Sequence, residues 1–281
     1  MLSTAPSLTD AATGASPAAR RKVPLWAALL VAAAAGGLLD LSFPAVGWWP
    51  LAFVSITLAL CTILGRSIGG AFLVGVAFGA AFFFTHLVWV GTYLGPVPWV
   101  ALAGLETLLF GAGAIPIALA YRWTDRARGR AVLWFVGVPL LVAGLWSVRE
   151  LMMGSWPYSG FPWARIGMTQ ANGLLPDAAS WVGVTGLGFL IVAACACLVQ
   201  WWRAGGFRRM RGVLPAAMIV TALVLVPQFP TGDAGQMDIG WVQGNGPSGY
   251  FDDRSPGDVL AAQTTATDSL LGEDMDLLVW P

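Results

Sequence analysis

Five ionisable side chains lie within or at the ends of long apolar stretches of this sequence. Glu106 is near the middle of one stretch, whereas four others are near the ends: Asp40, His86, Arg149 and Glu150. Each costs free energy in apolar surroundings unless it is paired or faces water, so each is a candidate functional residue. The structural alternative is a hydrogen bond to a neighbouring helix or a side chain that reaches the interface, and His86 fits an interfacial residue better than a ligand. Arg149 and Glu150 are adjacent, point about 100° apart on a helix, and need not pair with each other.

The sequence contains no local catalytic motif. It lacks a Walker loop, an HExxH motif and a G-x-S-x-G motif, and its single histidine excludes chemistry that needs two. Cys61, Cys195 and Cys197 all stand in apolar runs, so they favour helix packing over a disulfide framework or a thiolate metal site. We therefore predict no metal and no cofactor.

The composition is that of an integral membrane protein. Hydrophobic residues make up 57% of the 281 residues and charged residues only 11%, far below the roughly 25% of soluble domains. The formal net charge is +0, so no global basic field favours nucleic acid. A bilayer-spanning helix needs about 20 apolar residues. The pattern predicts seven spans, over approximately 24–41, 46–64, 68–93, 97–121, 131–152, 182–202 and 213–229. Glycine pairs such as Gly75 with Gly79 and Gly65 with Gly69 fit close helix packing.

The basic residues predict the orientation, because loops rich in Lys and Arg stay in the cytoplasm. With the N-terminus inside, the outer side carries only Arg149, Arg165 and Arg254. The other 12 of the 15 basic residues fall on the cytoplasmic side: Arg20, Arg21, Lys22, Arg66, Arg122, Arg126, Arg128, Arg130, Arg203, Arg208, Arg209 and Arg211. Seven spans then bring the acidic segment after about residue 230 to the outer, periplasmic or extracytoplasmic, side of an inner membrane.

Three segments flank or interrupt the helical part, 24–229. Residues 1–23 are predicted to form a disordered cytoplasmic arm. The loop over about 153–181 is rich in aromatic residues and proline, and it is either an interfacial aromatic belt or a rigid loop that lines a lipid-facing site. In the segment 230–281, residues 237–243 alternate like a strand, 255–271 read as a capped helix and 276–280 as a buried strand. One strand–helix–strand unit buries too little surface to stand alone, so we expect the chain to stop inside a domain.

Several motifs in this order resemble those of the bacterial apolipoprotein N-acyltransferases. Leu41-Ser-Phe-Pro with Trp49-Pro is similar to the first external loop of that family, and Gly75-Val-Ala-Phe-Gly to its third helix. Trp146-Ser-Val-Arg-Glu150, Gly160-Phe-Pro-Trp163 and Gly167-Met-Thr-Gln170 resemble the W-x-x-x-E, G-F-P-W and G-x-x-Q motifs. Val242-Gln-Gly-Asn245 and Asp276-Leu-Leu-Val-Trp-Pro281 resemble two strands that open the nitrilase-like domain.

The resemblance implies a fold, an activity and a set of site residues. The fold is a seven-span α-helical bundle followed by the incomplete start of an external α/β nitrilase-like, or carbon–nitrogen hydrolase, domain over 230–281. The activity is transfer of an acyl chain from a phospholipid to the N-terminal amino group of a diacylglyceryl-cysteine in a lipoprotein, with membrane lipid as surroundings. The resemblance implies eight residues that bind substrate or support the site: Glu150, Phe161, Pro162, Trp163, Gln243, Asn245, Phe251 and Trp280. Phe251 departs from the motif, since many relatives have a Trp near the substrate entrance where this chain has Gly249-Tyr-Phe-Asp.

The sequence departs from the family at the catalytic residues. The family uses a Glu, a Lys and a Cys; the Glu follows the Trp-Pro pair, so all three are expected beyond Pro281 and no catalytic residue is predicted within the chain. Lys22 is on the cytoplasmic side and no cysteine is in the external segment. We therefore expect the chain to be a fragment of an acyltransferase. Two alternatives remain: a non-catalytic membrane anchor for another enzyme, and a transporter with Glu106 and Asp40 on an ion path.

Overall fold

The computed structural model of the protein describes residues 23–125, 130–157, 159–249 and 251–280. The predicted arm, 1–23, falls outside the described residues except for Val23. Within these ranges the chain forms nine α-helices and two short strands, in the order α1 Leu25–Leu41, α2 Leu51–Ile63, α3 Ile68–His86, α4 Val88–Leu94, α5 Pro96–Thr124, α6 Val138–Met153, α7 Pro176–Arg203, α8 Leu214–Leu225, β1 Ile239–Trp241, α9 Asp258–Thr267 and β2 Leu277–Val279.

All seven predicted apolar runs contain helix, and four helices are long and apolar enough to cross a membrane. These are Ile68–His86, Pro96–Thr124, Leu133–Met153 and Pro176–Arg203. Three further apolar helices, Leu25–Leu41, Leu51–Ile63 and Met210–Leu225, are shorter. In the described part of the chain, four helices thus have the length and composition of membrane spans. The arrangement with seven spans stays a prediction.

The predicted run 68–93 is two helices rather than one. It breaks at Leu87, whose backbone leaves the helical region at φ −101° and ψ 16°. The following helix, α4, ends at Gly95, which has φ +87° and begins the long helix α5. The polar residues Thr85 and His86 directly precede the break, but two polar residues between long apolar runs do not by themselves predict one. The break lets the chain turn and place α4 against α5 at the end of the bundle.

Close glycine contacts hold α3 against α5. A Cβ on Gly75 would lie 2.8 Å from the Cα of Gly111, and one on Gly79 would lie 3.2 Å from the Cα of Thr107. The predicted packing role of Gly75 and Gly79 is confirmed, because no larger side chain fits there without a shift of backbone. The same prediction for Gly65 and Gly69 is wrong: Gly69 faces open space, and Gly65 has φ +67° in the turn after α2.

A π-helical turn over Leu133–Gly137 leads into α6. Wider hydrogen bonding in a π-turn displaces backbone carbonyls from their normal α-helical partners. Here α7 supplies side-chain donors: Gln200 Nε2 donates to the carbonyl of Trp134 at 3.0 Å, and Cys197 Sγ lies 3.7 Å from the carbonyl of Phe135. Cys195 Sγ similarly lies 3.6 Å from the carbonyl of Phe53. The two buried cysteines thus serve helix packing, as predicted.

The segment after α8 forms the predicted strand–helix–strand unit. Strands β1 and β2 pair in parallel, with Gly240 opposite Leu278, and α9 connects them. The helix begins at Asp258 rather than at Ser255 because Gly257 adopts φ +99°, and the Asp258 carboxylate accepts a hydrogen bond from the Ser255 backbone at 2.7 Å. Both strands are only three residues long and largely exposed. The burial predicted for the strand over 276–280 is therefore wrong, because two strands and one helix leave much of the sheet uncovered.

Two contacts tie the exit from α8 to the start of α7. Trp181 Nε1 donates to the carbonyl of Pro227 at 2.7 Å, and the Phe229 backbone N–H donates to Ser180 Oγ at 2.8 Å. The rings of Trp181 and Phe229 also meet edge to face at 4.8 Å. These contacts fix where the strand–helix–strand unit leaves the bundle.

Candidate functional site

The candidate site begins with one turn of α6. Trp146 and Glu150 are four residues apart and therefore share a helix face, and Trp146 Nε1 donates to Glu150 Oε1 at 2.8 Å. The backbone N–H of Ile166 is a further donor to this carboxylate. Only 8% of Glu150 is exposed, so these donors replace the water that a carboxylate otherwise requires. Glu150 thereby joins α6 to the 3₁₀ turn Ile166–Gln170.

Arg149 is enclosed by rings and pairs with Glu150, a pairing that helix geometry alone did not require. Its Nη2 lies 3.5 Å from Glu150 Oε1. Its guanidinium carbon lies 4.0 Å from the ring centroid of Phe110 and 4.8 Å from that of Trp146. Long side chains at adjacent helical positions can bend toward one atom, and burial leaves Arg149 no water as an alternative. Gly113 provides the room, since a Cβ there would lie 2.5 Å from Arg149 Cδ.

Glu106 lies beneath this cluster on α5. It is 2% exposed, its Oε2 has no hydrogen-bond partner among the described residues, and it is within electrostatic reach of Arg149. Phe110, one turn further along α5, stacks under the Arg149 guanidinium. Sequence reasoning identified both acids and the arginine but missed Phe110 and Gly113. Their signal is present in retrospect, since they stand four and seven residues after Glu106 on one face of the same helix.

The aromatic loop after α6 contains a three-ring cluster. Phe161 and Trp163 stack with centroids 5.8 Å apart, and Trp89 of α4 lies 5.3 Å from Trp163 and 6.4 Å from Phe161. The Phe161 backbone N–H donates to the carbonyl of Met153 at 2.6 Å, which anchors the cluster to the end of α6. Trp156 is 60% exposed and Trp163 56%, so the two differ in their ring contacts rather than in exposure: among the described residues Trp156 joins no ring cluster, as an interfacial belt residue would not. Tyr158 lies outside the described residues.

Pro162 and Trp163 form one wall of an open cavity of about 490 Å³. Its other lining residues come from the loop after α1, the end of α3, the 3₁₀ turn and α7: Phe43, Pro44, Ala45, His86, Arg165, Met168 and Val184. The lining is apolar except at two positions. His86 Nδ1 lies 2.9 Å from Asp40 Oδ1, and its ring packs 4.3 Å from that of Phe43. Arg165 is the second polar group, and sequence analysis counted it only as an outer basic residue.

The remaining candidates lie on or beside the strand–helix–strand unit. Gln243 and Trp280 follow β1 and β2, and the carboxyl ends of parallel strands share one edge. Asn245 has φ +51° in the turn after β1. Trp280 Nε1 donates to Thr267 Oγ1 of α9 at 2.9 Å. Phe251 reaches the bundle, since its ring lies 2.7 Å from the position of a Cβ on Gly95.

The eight candidates therefore fall into two groups. Glu150 and Pro162 line a narrow cavity of about 20 Å³ beneath the aromatic loop, and Phe161 and Trp163 stand above it. Gln243, Asn245 and Trp280 lie at the strand ends, with Phe251 at the contact between unit and bundle. Within the described ranges, no group of three or more His, Cys, Asp or Glu side chains could hold a metal ion.

The sequence model of the apolipoprotein N-acyltransferase N-terminal domain matches residues 35–197. The chain belongs to the apolipoprotein N-acyltransferase family. The matched range contains Glu150 and the aromatic loop, whereas the strand–helix–strand unit lies outside it. The resemblance seen in the motifs is thus confirmed.

Curated apolipoprotein N-acyltransferases are similar over most of the chain. The protein of Mycolicibacterium smegmatis is 37% identical over 243 residues, which cover 78% of the chain and 38% of that relative. The protein of Geobacter metallireducens is 32% identical over 201 residues, with 70% of the chain and 37% of the relative covered. That of Pseudomonas syringae pv. tomato is 30% identical over 274 residues, with 92% and 52% covered. The chain spans about half or less of the length of these relatives.

The Arg149–Glu150 pair predicts a specific stability pattern. Glu150→Gln keeps an acceptor for Trp146 but leaves the enclosed guanidinium without its partner, which costs about 3 kcal/mol. We expect a clear loss of thermal stability in detergent, measured by the temperature at which the monodisperse protein is lost. The double variant Arg149→Gln, Glu150→Gln should recover part of that loss, because the guanidinium that lacks its carboxylate is then also removed. Equal losses in the single and double variants would contradict the pairing, and Glu273→Gln on the exposed segment is the control.

Proposed function

We propose that this protein transfers an acyl chain from a phospholipid to the free N-terminal amino group of an S-diacylglyceryl-cysteine in lipoproteins, the last step of their maturation. The observation that carries the proposal is the family match over residues 35–197. Relatives over 30% identical bear the name apolipoprotein N-acyltransferase. The outer cavity beside Trp163 supports the proposal, because it combines an apolar lining with one cation.

The helical part has a proposed role in holding the acyl donor. A phospholipid is apolar along its chains and anionic at its phosphate. In this proposal the chains lie along Phe43 and Trp163, while Arg165 contacts the phosphate at the headgroup level, where aromatic side chains favour the interface. Both substrates are anchored in the membrane by their acyl chains. Holding them beside one site raises their effective concentration there.

The acyl transfer itself belongs, in this proposal, to a nitrilase-like domain whose first elements are β1, α9 and β2. The family resemblance implies a Glu that takes the proton of a Cys thiol, a thiolate that attacks the ester carbonyl and expels a lysophospholipid, and a Lys that stabilises the oxyanion. The amino group of the acceptor then attacks the thioester and releases the thiol, so the amide replaces the ester. The contact of Phe251 with Gly95 supports docking of this domain on the bundle.

The proposed topology has seven spans, a cytoplasmic N-terminus and the strand–helix–strand unit on the outer side. It rests on the 12 to 3 distribution of basic residues. The opposite orientation would place most of these cations on the translocated side.

A cysteine at Ser269 tests the topology. The side chain of Ser269 is exposed, and in a variant without native cysteines it should react with a membrane-impermeant maleimide on cells with an intact inner membrane. Arg122 lies near the C-terminal end of α5, on the proposed cytoplasmic side. A cysteine introduced there, Arg122→Cys, should react only after the inner membrane is opened. The reverse pattern would refute the orientation.

The enzymatic proposal is tested with the full-length protein purified in detergent. We expect it to move a labelled acyl chain from phospholipid to a synthetic diacylglyceryl-cysteine peptide, and to leave a peptide with an acetylated N-terminus unmodified, because the free amine is the nucleophile. A folded, monodisperse protein that acylates neither peptide would contradict the proposal and favour the membrane anchor.

Trp163→Phe tests the aromatic cluster as a rigid shelf for lipid chains. A belt residue tolerates exchange among aromatic rings, whereas a packed shelf does not. Loss of the Trp163 contacts with Phe161 and Trp89 should reduce acyl transfer roughly fivefold, equivalent to ~1 kcal/mol. Trp156→Phe, in the same loop and similarly exposed but outside the ring cluster, should retain full activity. Equal rates for Trp163→Phe and the unmodified protein would show that the shelf is wrong.

A further inference from the structure

A second large cavity lies at the opposite end of the bundle from the Trp163 cavity. It measures about 670 Å³ and lies between the start of the α6 span and the segment that leads into α8. Its apolar walls are Ala131, Val132, Phe135, Val136, Met210, Gly212 and Pro215, and its two charged lining residues are Arg208 and Arg211. From Leu133 to Met153 the span has 21 residues, so the two cavities are about 30 Å apart along it. This cavity therefore belongs to the other membrane surface and not to the proposed acyl-donor site.

The 3₁₀ segment Gly206–Val213 carries both arginines and has the composition of an interfacial helix. Phe207 is 82% exposed and Met210 is 55% exposed, and these apolar side chains alternate with Arg208 and Arg211. The segment joins the end of α7 to the start of α8, so it lies where the spans leave the membrane. Exposed apolar side chains and cations at this depth are stabilised by acyl chains and by anionic headgroups, respectively.

Hydrogen bonds and close packing hold both walls of the cavity in place. One wall is the π-turn Leu133–Gly137, whose carbonyl at Trp134 is held by Gln200 of α7. The other wall packs closely on the first, since a Cβ on Gly212 would lie 3.0 Å from the ring of Phe135 and 3.1 Å from that of Trp201. The Phe207 ring meets Trp201 edge to face at 5.3 Å. The arginines thus project from a segment that is fixed on the bundle.

The arginines at this end of the bundle differ in whether an acidic residue of the protein pairs with them. Arg203 is paired with Asp125 and lies 4.6 Å from the ring centroid of Trp134, so its charge is satisfied within the protein. In the ranges that the structure describes, neither Arg208 nor Arg211 takes part in an ion pair. Two cations over an apolar cavity at a membrane surface are complementary to an anion that carries hydrocarbon.

We propose that this cavity binds an anionic phospholipid of the adjacent leaflet. The phosphate and the anionic headgroup lie between Arg208 and Arg211, and one acyl chain follows Val132, Phe135 and Val136. A free phosphate would satisfy the cations but leave the apolar walls uncovered, whereas a zwitterionic lipid would bring a second cation to the same place. The bound lipid stabilises the junction of α6, α7 and α8 and takes no part in acyl transfer.

The test is lipid binding to the full-length protein in detergent, measured by native mass spectrometry. Phosphatidylglycerol and phosphatidylcholine with the same acyl chains are the two probes. We expect the protein to prefer phosphatidylglycerol, and the double variant Arg208→Gln, Arg211→Gln to lose about fivefold in affinity for it per arginine, equivalent to ~1 kcal/mol each. Arg122→Gln removes an exposed charge from the same end of the bundle, outside the cavity, and should keep the preference.

Two further variants distinguish lipid binding in this cavity from non-specific lipid binding elsewhere on the apolar surface of the bundle. Val132→Trp places an indole in the path of the acyl chain and leaves both arginines in place, so it should weaken phosphatidylglycerol binding; it decides the question if the double variant does not remain monodisperse. Arg208→Lys with Arg211→Lys keeps the charges and should keep the preference. An unchanged preference in Val132→Trp would overturn the proposal, as would a protein that binds both lipids equally. Displacement of phosphatidylglycerol by millimolar inorganic phosphate would also overturn it, because the acyl chain would then contribute nothing.

Discussion

A guanidinium enclosed within an apolar helical bundle is the constraint on which the end of this protein that carries Trp163 depends. Arg149 is buried away from water. The packing of α5 against α6 therefore depends on the two rings and the carboxylate that surround its guanidinium, and on the space that Gly113 leaves for its side chain. The same carboxylate accepts a hydrogen bond from Trp146 and one from the backbone of Ile166. A single charge thereby sets the packing of two spans and fixes the 3₁₀ turn that follows them.

The geometry of the outer cavity follows from that arrangement. Because Glu150 holds the 3₁₀ turn and the carbonyl of Met153 holds Phe161, the short loop between these two attachment points has little freedom. It presents Pro162 and Trp163 toward the loop after α1 and the end of α3, where His86 and Asp40 pair. One short loop thus connects the buried polar cluster to the cavity beside Trp163, and the family match covers the residues of both.

Sequence patterns predicted the features that depend on local composition. Apolar runs identified the helices, Gly75 and Gly79 the tight α3–α5 contact, and alternation the parallel unit that ends at Trp280. The π-turn at Leu133–Gly137 escaped because the residues around it are apolar, and a hydrophobic pattern does not show the path of the backbone. The break at Leu87 escaped although Thr85 and His86 precede it, because two polar residues do not by themselves end a helix. Arg165 escaped for another reason: its role depends on neighbours from distant parts of the chain, which spacing within one segment does not reveal.

The π-turn also has a mechanical consequence. Its two displaced carbonyls are held from α7 by Gln200 and Cys197, so a slide of α6 along α7 by even one residue would leave both carbonyls bare in hydrocarbon. Helices α6 and α7 are therefore expected to move together as one rigid unit. On the far side of the Trp163 cavity the corresponding contacts are more exposed: Asn172 Nδ2 donates to the carbonyl of Pro44 at 3.4 Å, and the half-buried His86 lies 2.9 Å from Asp40. Because water can replace these contacts, that side can move at a lower cost than a slide of α6 along α7.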